Sequence, residues 1–194
     1  MRIRVYIVLL LLAALLAAEG CAPSLVARRT SVTSSPAHPR LAVIPFDNLS
    51  GKEAAGVKIT TYFQSLMTGN AKFDLVEYGE AYDILRKFRI RSSRLLTASQ
   101  IDTLAQYLKI DYIVTGSVYD YSEFDNTYLG KVPQVSFDTR VIECATQKTV
   151  WVGVSNGRGD ESEIAFGIGA VRSADELAKR MVGSAVSDIA GLFK

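Results

Sequence analysis

Six consecutive residues, Leu41 to Phe46 (LAVIPF), are apolar, and that run constrains the fold more than any other feature of the chain. A strand with one wet face alternates apolar and polar residues; an unbroken apolar run needs cover on both faces. Pro45 lacks an N–H, so its ladder must end or reach an edge there. The clearest strand of the chain is Asp111 to Tyr121, centred on Tyr112 to Tyr119 (YIVTGSVY). Around these runs the period changes to that of amphipathic helices, so helices are expected to cover a sheet.

The expected elements follow in order. After the turn-rich Asp47 to Gly51, Ser50 and Glu53 have capping-box spacing and open a helix to about Gly69. Its apolar stripe is Val57, Tyr62, Phe63, Leu66 and Met67. Lys72 to Glu77 is a second strand, with Phe73 and Leu75 set against Asp74 and Val76, and Glu80 to about Phe88 a short helix. Thr97 and Gln100 form another capping box before Ile101, Leu104, Ala105 and Leu108. A loop is expected over 122–132. Val135 to Glu143 and Lys148 to Ser155 form a hairpin through a tight connection, and Asn156 to Asp160 form a turn. Ser173 and Glu176 cap a closing helix carrying Leu177, Met181, Ala185, Ile189 and Leu192. The fold class is α+β, with a mixed or mostly antiparallel sheet covered by helices in one domain, residues 40–194.

The first 20 residues read as a targeting segment rather than as structure. Arg2 and Arg4 precede a 14-residue apolar stretch, Val5 to Ala18, which is shorter than the roughly 20 residues of a spanning helix. The junction Ala18-Glu19-Gly20-Cys21 resembles a bacterial lipoprotein signal, in which Cys21 is diacylated and becomes the new N-terminus. Ala18 stands where that pattern prefers Leu, and Glu19 is unusual in its place; the other reading is an ordinary cleaved signal with an incidental cysteine. In sorted lipoproteins an Asp after the cysteine retains the protein at the inner membrane. Ala22 stands there instead, which implies the outer membrane, periplasmic face. Residues 21–39 then read as a flexible tether from lipidated Cys21, since half of residues 22–39 are Ser, Thr or Pro and no period is visible.

Removing Arg2, Arg4 and Glu19 from a chain of formal charge +2 leaves +1, no electrostatic footprint for nucleic acid. With Cys21 lipidated, Cys144 has no disulfide partner and reads as a buried, inert thiol in a strand. The single histidine, His38, lies in the tether. No Ser-His-Asp or Cys-His constellation and no histidine-rich zinc site can therefore be assembled in the domain. Asp120, Glu123 and Asp125 are the remaining candidates for acid–base chemistry or calcium; on the expected loop they are more simply solvated. Gly167 and Gly169 make half of a phosphate-binding loop and read as a connector. No cofactor is expected.

Several segments together resemble the CsgG/LpoB/TolB-N-terminal group of bacterial envelope domains. They are Leu41 to Asn48, Phe73 to Glu77, Leu108 to Ser117 (LKIDYIVTGS), and the hairpin from Val141 to Gly153. In the last, Glu143 replaces an Asp and Gln147 a Gly of the family's turn. The resemblance covers about residues 40–190 and implies a scaffold or interaction module without catalytic residues. One branch of that family forms the secretion channel for curli subunits, and another is lipoproteins that activate peptidoglycan synthases.

Two surface features are candidates for contact with an envelope protein partner. Arg86 to Arg94 holds five cations, of which Arg89, Arg91 and Arg94 are the candidate contacts, with Phe88 and Ile90 interleaved. Tyr119 to Tyr128 sets four aromatics among acids, of which Tyr121, Phe124 and Tyr128 are the candidate anchors. The expected protein is a non-catalytic, lipid-anchored interaction or assembly module, with homo-oligomerisation left open. The alternatives are a curli-type channel subunit and a carboxylate-based cell-wall hydrolase.

Overall fold

The computed structural model describes residues 24–30, 36–128, 130–161 and 169–193. The signal segment, Cys21 and Gly167 lie outside the described residues. Seven strands and four helices are present among them: β1 (Ser24–Arg29), β2 (Arg40–Val43), β3 (Asp47–Asn48), α1 (Ala55–Met67), β4 (Asp74–Leu75), α2 (Tyr78–Lys87), α3 (Ala98–Leu108), β5 (Tyr112–Asn126), β6 (Gly130–Glu143), β7 (Lys148–Arg158) and α4 (Ala174–Ala190). No described helix is long and apolar enough to cross a membrane.

The strands form one mixed sheet in the order β1-β7-β6-β5-β2-β4, with β3 alongside β5. The pairs β5–β6, β6–β7 and β7–β1 are antiparallel, whereas β2 and β3 run parallel to β5 and β4 runs parallel to β2. The apolar run at 41–44 explains the layering. Leu41 and Val43 enter the core formed with α1 and α4, while Ala42 and Ile44 enter the core formed with α2 and α3. All four are fully buried. The expected α+β domain with a mixed, helix-covered sheet is what the chain forms. Pro45 ends the ladder as its chemistry requires: Ile44 N–H makes a last bond to Val114 O at 3.0 Å, and pairing resumes only at Asp47.

Gly116 sits where the Phe46 ring crosses the sheet. A Cβ there would lie 2.0 Å from Asp138 O and 2.5 Å from the Phe46 ring, so only glycine fits. At the β6–β7 turn, Glu143 accepts from Thr146 Oγ1 at 2.6 Å, and Gln147 takes the left-handed φ of 58°. The turn thus accommodates both residues, Glu143 by accepting from Thr146 and Gln147 by adopting the conformation that glycine favours.

Several expectations are corrected. Ser24–Arg29 is not free tether: it pairs with β7 from Ser24↔Asn156 to Arg29↔Trp151. Leu25 and Ala27 are half-buried while Val26 is 69% exposed, an alternation too short to register in a Ser/Thr-rich segment. Gly153 admits the strand, because a Cβ there would meet the Trp151 ring at 2.3 Å and Leu25 at 3.1 Å. The loop expected over 122–132 is instead a paired extension of β5 and β6 as far as Asn126↔Gly130. Polar residues occupy it because its sides are solvated. Asn156–Arg158 likewise continue β7 rather than turning.

The Ser50–Glu53 capping box does not form. Ser50 binds Asn48, and α1 starts later, behind Ala54 with φ 63° and no side-chain cap. Its buried stripe is Ala55, Gly56, Ile59, Thr60, Phe63 and Met67, leaving Val57 and Leu66 exposed. Ser173 precedes α4 without a cap bond. The Thr97–Gln100 box forms in both directions.

Candidate interaction surface

The basic run is arranged by two helix ends of the same design. At the end of α2, Arg89 takes φ 55°, and Ile90 N–H returns to Leu85 O at 2.9 Å, a left-handed helix stop. At the end of α3, Lys109 takes φ 53°, and Ile110 N–H reaches Ala105 O at 3.3 Å. In each case the following isoleucine is buried. The chain leaving α2 is stapled by Asp47, whose carboxylate accepts from Ser92 Oγ at 2.7 Å and from Arg94 N–H at 2.9 Å. Ser93 Oγ donates to Pro45 O at 2.6 Å. Arg140 donates to the Arg94 carbonyl at 2.9 Å.

Arg86, Arg89 and Arg91 consequently line a groove of about 430 Å³ with Pro45, Tyr82 and Leu85. Beside it, Lys87 lies 4.9 Å from the Tyr107 ring centre, and Phe88 packs on Tyr107 at 4.7 Å. Tyr82, Phe88, Leu95 and Tyr107 are all substantially exposed. Arg and Tyr beside other aromatics on an accessible surface is the composition of protein-binding anchors. The sequence showed the cations and Phe88, but Tyr82 enters the groove from α2 and Tyr107 reaches Phe88 from α3 only in the fold. Arg94 is exposed but tied down through its backbone.

The aromatic candidates separate. Tyr121 is in the core, so it is withdrawn as an accessible anchor. Phe124 is half-buried under the Arg158 guanidinium, 4.7 Å from its ring centre. Tyr128, at the hairpin tip, is 94% exposed.

Tyr121 belongs to a polar clamp the sequence did not reveal. Its hydroxyl donates to Asp175 at the start of α4, and Lys58 of α1 donates to the same Oδ1 at 2.8 Å. The hydrogen bond from Lys58, then that from Tyr121, pulls the Asp175 carboxyl down to about 2. Burial, reinforced by Asp175 and Tyr62, drives the Tyr121 phenol upward. Three elements are thereby tied at one carboxylate beside a cleft of about 360 Å³ lined also by Lys52, Glu123 and Lys131.

Asp120 and Glu123 do not form an acid–base pair. Side chains alternate along a strand, so Asp120 and Glu123 face opposite ways. Asp120 accepts from Gln134 at 2.8 Å, and Glu123 lies 4.0 Å from Lys131. No group of three or more His, Cys, Asp or Glu among the described residues is placed to hold a metal ion. Cys144 is buried, and burial, followed by the charge of Asp111, pushes its thiol up to about 12. At neutral pH it is a protonated, unreactive thiol.

No family model and no curated protein matches the chain. Among solved structures it is similar to lipoprotein GNA1162 from Neisseria meningitidis, at 17% identity and TM-score 0.55, over 79% of this chain and 99% of that one. It is also similar to a PelC dodecamer from Paraburkholderia phytofirmans, at 15% identity and TM-score 0.54, over 84% and 96% of the two chains. The LpoB C-terminal domain from Escherichia coli superposes at TM-score 0.47 with 16% identity, over 65% and 87%, too loosely to carry an argument. At these identities the likeness establishes the fold alone. The CsgG and TolB parts of the resemblance rest on the sequence.

Proposed function

We propose that this chain is a lipid-anchored protein of the outer membrane's periplasmic face, whose domain is a non-catalytic interaction or assembly module of the cell envelope. The observation that carries the reading is the groove of Arg86, Arg89 and Arg91 with exposed Tyr82, next to the exposed Phe88–Tyr107 pair. Accessible aromatics and arginines concentrate there among the described residues, and Asp47 fixes the loop. By contrast, the polar clusters at Asp175 and Glu143 are engaged in holding the fold: Glu143 is buried and accepts from Tyr112 at 3.3 Å as well as from Thr146. The groove's charge suits an acidic surface on an envelope protein. The fold shared with lipoprotein GNA1162 agrees with the envelope setting.

A photo-crosslinking residue at Tyr82, in cells carrying the full-length chain, tests this reading. A discrete envelope-protein adduct is expected, abolished by Arg89→Glu with Arg91→Glu while thermal stability is retained. Survival of the adduct in that charge-reversed variant would refute the groove as the contact.

The PelC neighbour is a dodecamer, so a higher oligomer is the assembly to look for. The channel alternative is disfavoured by the hairpin between Tyr121 and Val135, which is too short and polar for two spanning strands of about 9–11 residues each. Single-channel conductance of the purified lipidated chain would restore it.

A further inference from the structure

The membrane side of the domain follows from strand register. Ser24 pairs with Asn156, Asn156 with Ser136, and Ser136 with Asp120, so the four residues form one row across the sheet. β1 runs antiparallel to β7, and its N-terminus leaves the sheet at the end toward which β5 ascends. From the Asp120 row the β5–β6 hairpin continues through six more residues to Asn126↔Gly130, an overhang of about 20 Å at ~3.4 Å per residue. The leash from Ser24 to Cys21 is three residues, at most about 10 Å. The hairpin thus overhangs the row by more than the leash can lift the row from the bilayer.

We propose that the tip of the β5–β6 hairpin, with Tyr128 at its apex, seats in the lipid headgroup layer beside the anchor and fixes the domain's orientation on the membrane. This inference rests on the proposed attachment at Cys21. The side chain at the apex suits the site: Tyr128 is 94% exposed, and tyrosine is enriched at membrane interfaces, where its ring and hydroxyl match the two sides of the boundary. The overhanging hairpin sets Glu123 and Asp125 against Lys131 alone, a net charge of about −1, so the occupant is a lipid surface met through the aromatic ring rather than an anionic lipid drawn by charge. Sheet twist tilts β5 from the β1 axis, so the tip meets the surface at a slant. β1, read from sequence as tether, is what makes the leash short. The groove at Arg89 lies on α2 and the loop after it, away from the tip, and stays open to a partner.

The test uses the full-length chain as processed by cells, purified from membranes and reconstituted into phosphatidylcholine vesicles with brominated acyl chains. Tyr128→Trp is compared with Tyr107→Trp at the opposite end of the sheet; buried Trp151 is their common background. Interfacial elements sit about 5–10 Å into the boundary, so the added tryptophan at 128 should lose about half its emission and that at 107 almost none. Mass spectrometry of the same sample reports Cys21 separately. Should Cys21 be unmodified, the cysteine is coupled to a maleimide lipid, to which protonated Cys144 is inert, and the measurement repeated. In either preparation, equal quenching at the two positions, or none at 128, overturns the proposal. So does photo-crosslinking from position 128 to an envelope protein with no quenching.

Discussion

Trp151 Nε1 donates to Asp188 Oδ2 at 2.7 Å, and the other oxygen of that carboxylate accepts from Arg29. One side chain on α4 therefore holds both the buried indole of β7 and the last residue of β1. Asp188→Ala would leave the indole N–H buried without a partner and release Arg29. We expect a loss of about 1–3 kcal/mol in urea unfolding, with faster amide exchange along Ser24–Arg29 than elsewhere in the sheet. Unchanged exchange in β1 would show that the strand is held by its ladder alone.

Val43 and Ile44 are adjacent in sequence but belong to different cores. Truncating either to Ala should cost about 2–4 kcal/mol, because both side chains are fully enclosed and their cavities cannot collapse into solvent. The two cores should also respond separately: Val43→Ala is expected to loosen α4, and Ile44→Ala α2 and α3, as read by local amide exchange. Losses under about 0.5 kcal/mol would place β2 at the surface.

How much of this was legible in the sequence depends on whether a signal was local. The doubly buried run at 41–44, the β6–β7 hairpin and the Thr97–Gln100 cap were readable because period and cap chemistry are short-range. The strand Ser24–Arg29 was not, since its reason for forming is the open edge of β7 and the space above Gly153, both more than 120 residues away in sequence. The loop expected at 122–132 failed for a related reason: its described residues are exposed or half-buried up to Val132, so the segment carries no apolar period. In α1, Val57 and Leu66 fit a helical stripe, but the helix is rotated so that Gly56 faces Phe46; a Cβ on Gly56 would lie 2.6 Å from the Phe46 carbonyl. Of the candidate site, the arginines were visible. Tyr82, which lines the groove with them, and Tyr107, which packs on Phe88, were not, and Tyr121 proved to be core.

The Asp175 clamp has a pH signature. Its carboxyl is held near 2 in the folded chain, below its ordinary value, so the stabilisation is fully present above about pH 5 and is lost as pH falls through 4 toward 2. The side chain is 44% exposed, so solvent screening keeps the effect modest. The difference in Tm between the wild type and Asp175→Asn should be largest at pH 5 and shrink steadily toward pH 2. A difference constant across that range would mean that Lys58 and Tyr121 do not depend on the charge.

The central claim is attachment to the membrane through Cys21, since localisation, orientation and the choice of partners all depend on it. Intact-mass measurement of the wild-type protein extracted from membranes tests it directly, with a Cys21→Ser variant fractionated alongside. The account predicts a chain beginning at Cys21 and carrying a diacylglyceryl group, and a serine variant that leaves the membrane fraction. A mature wild-type chain with an unmodified Cys21, or one cleaved elsewhere, would contradict it.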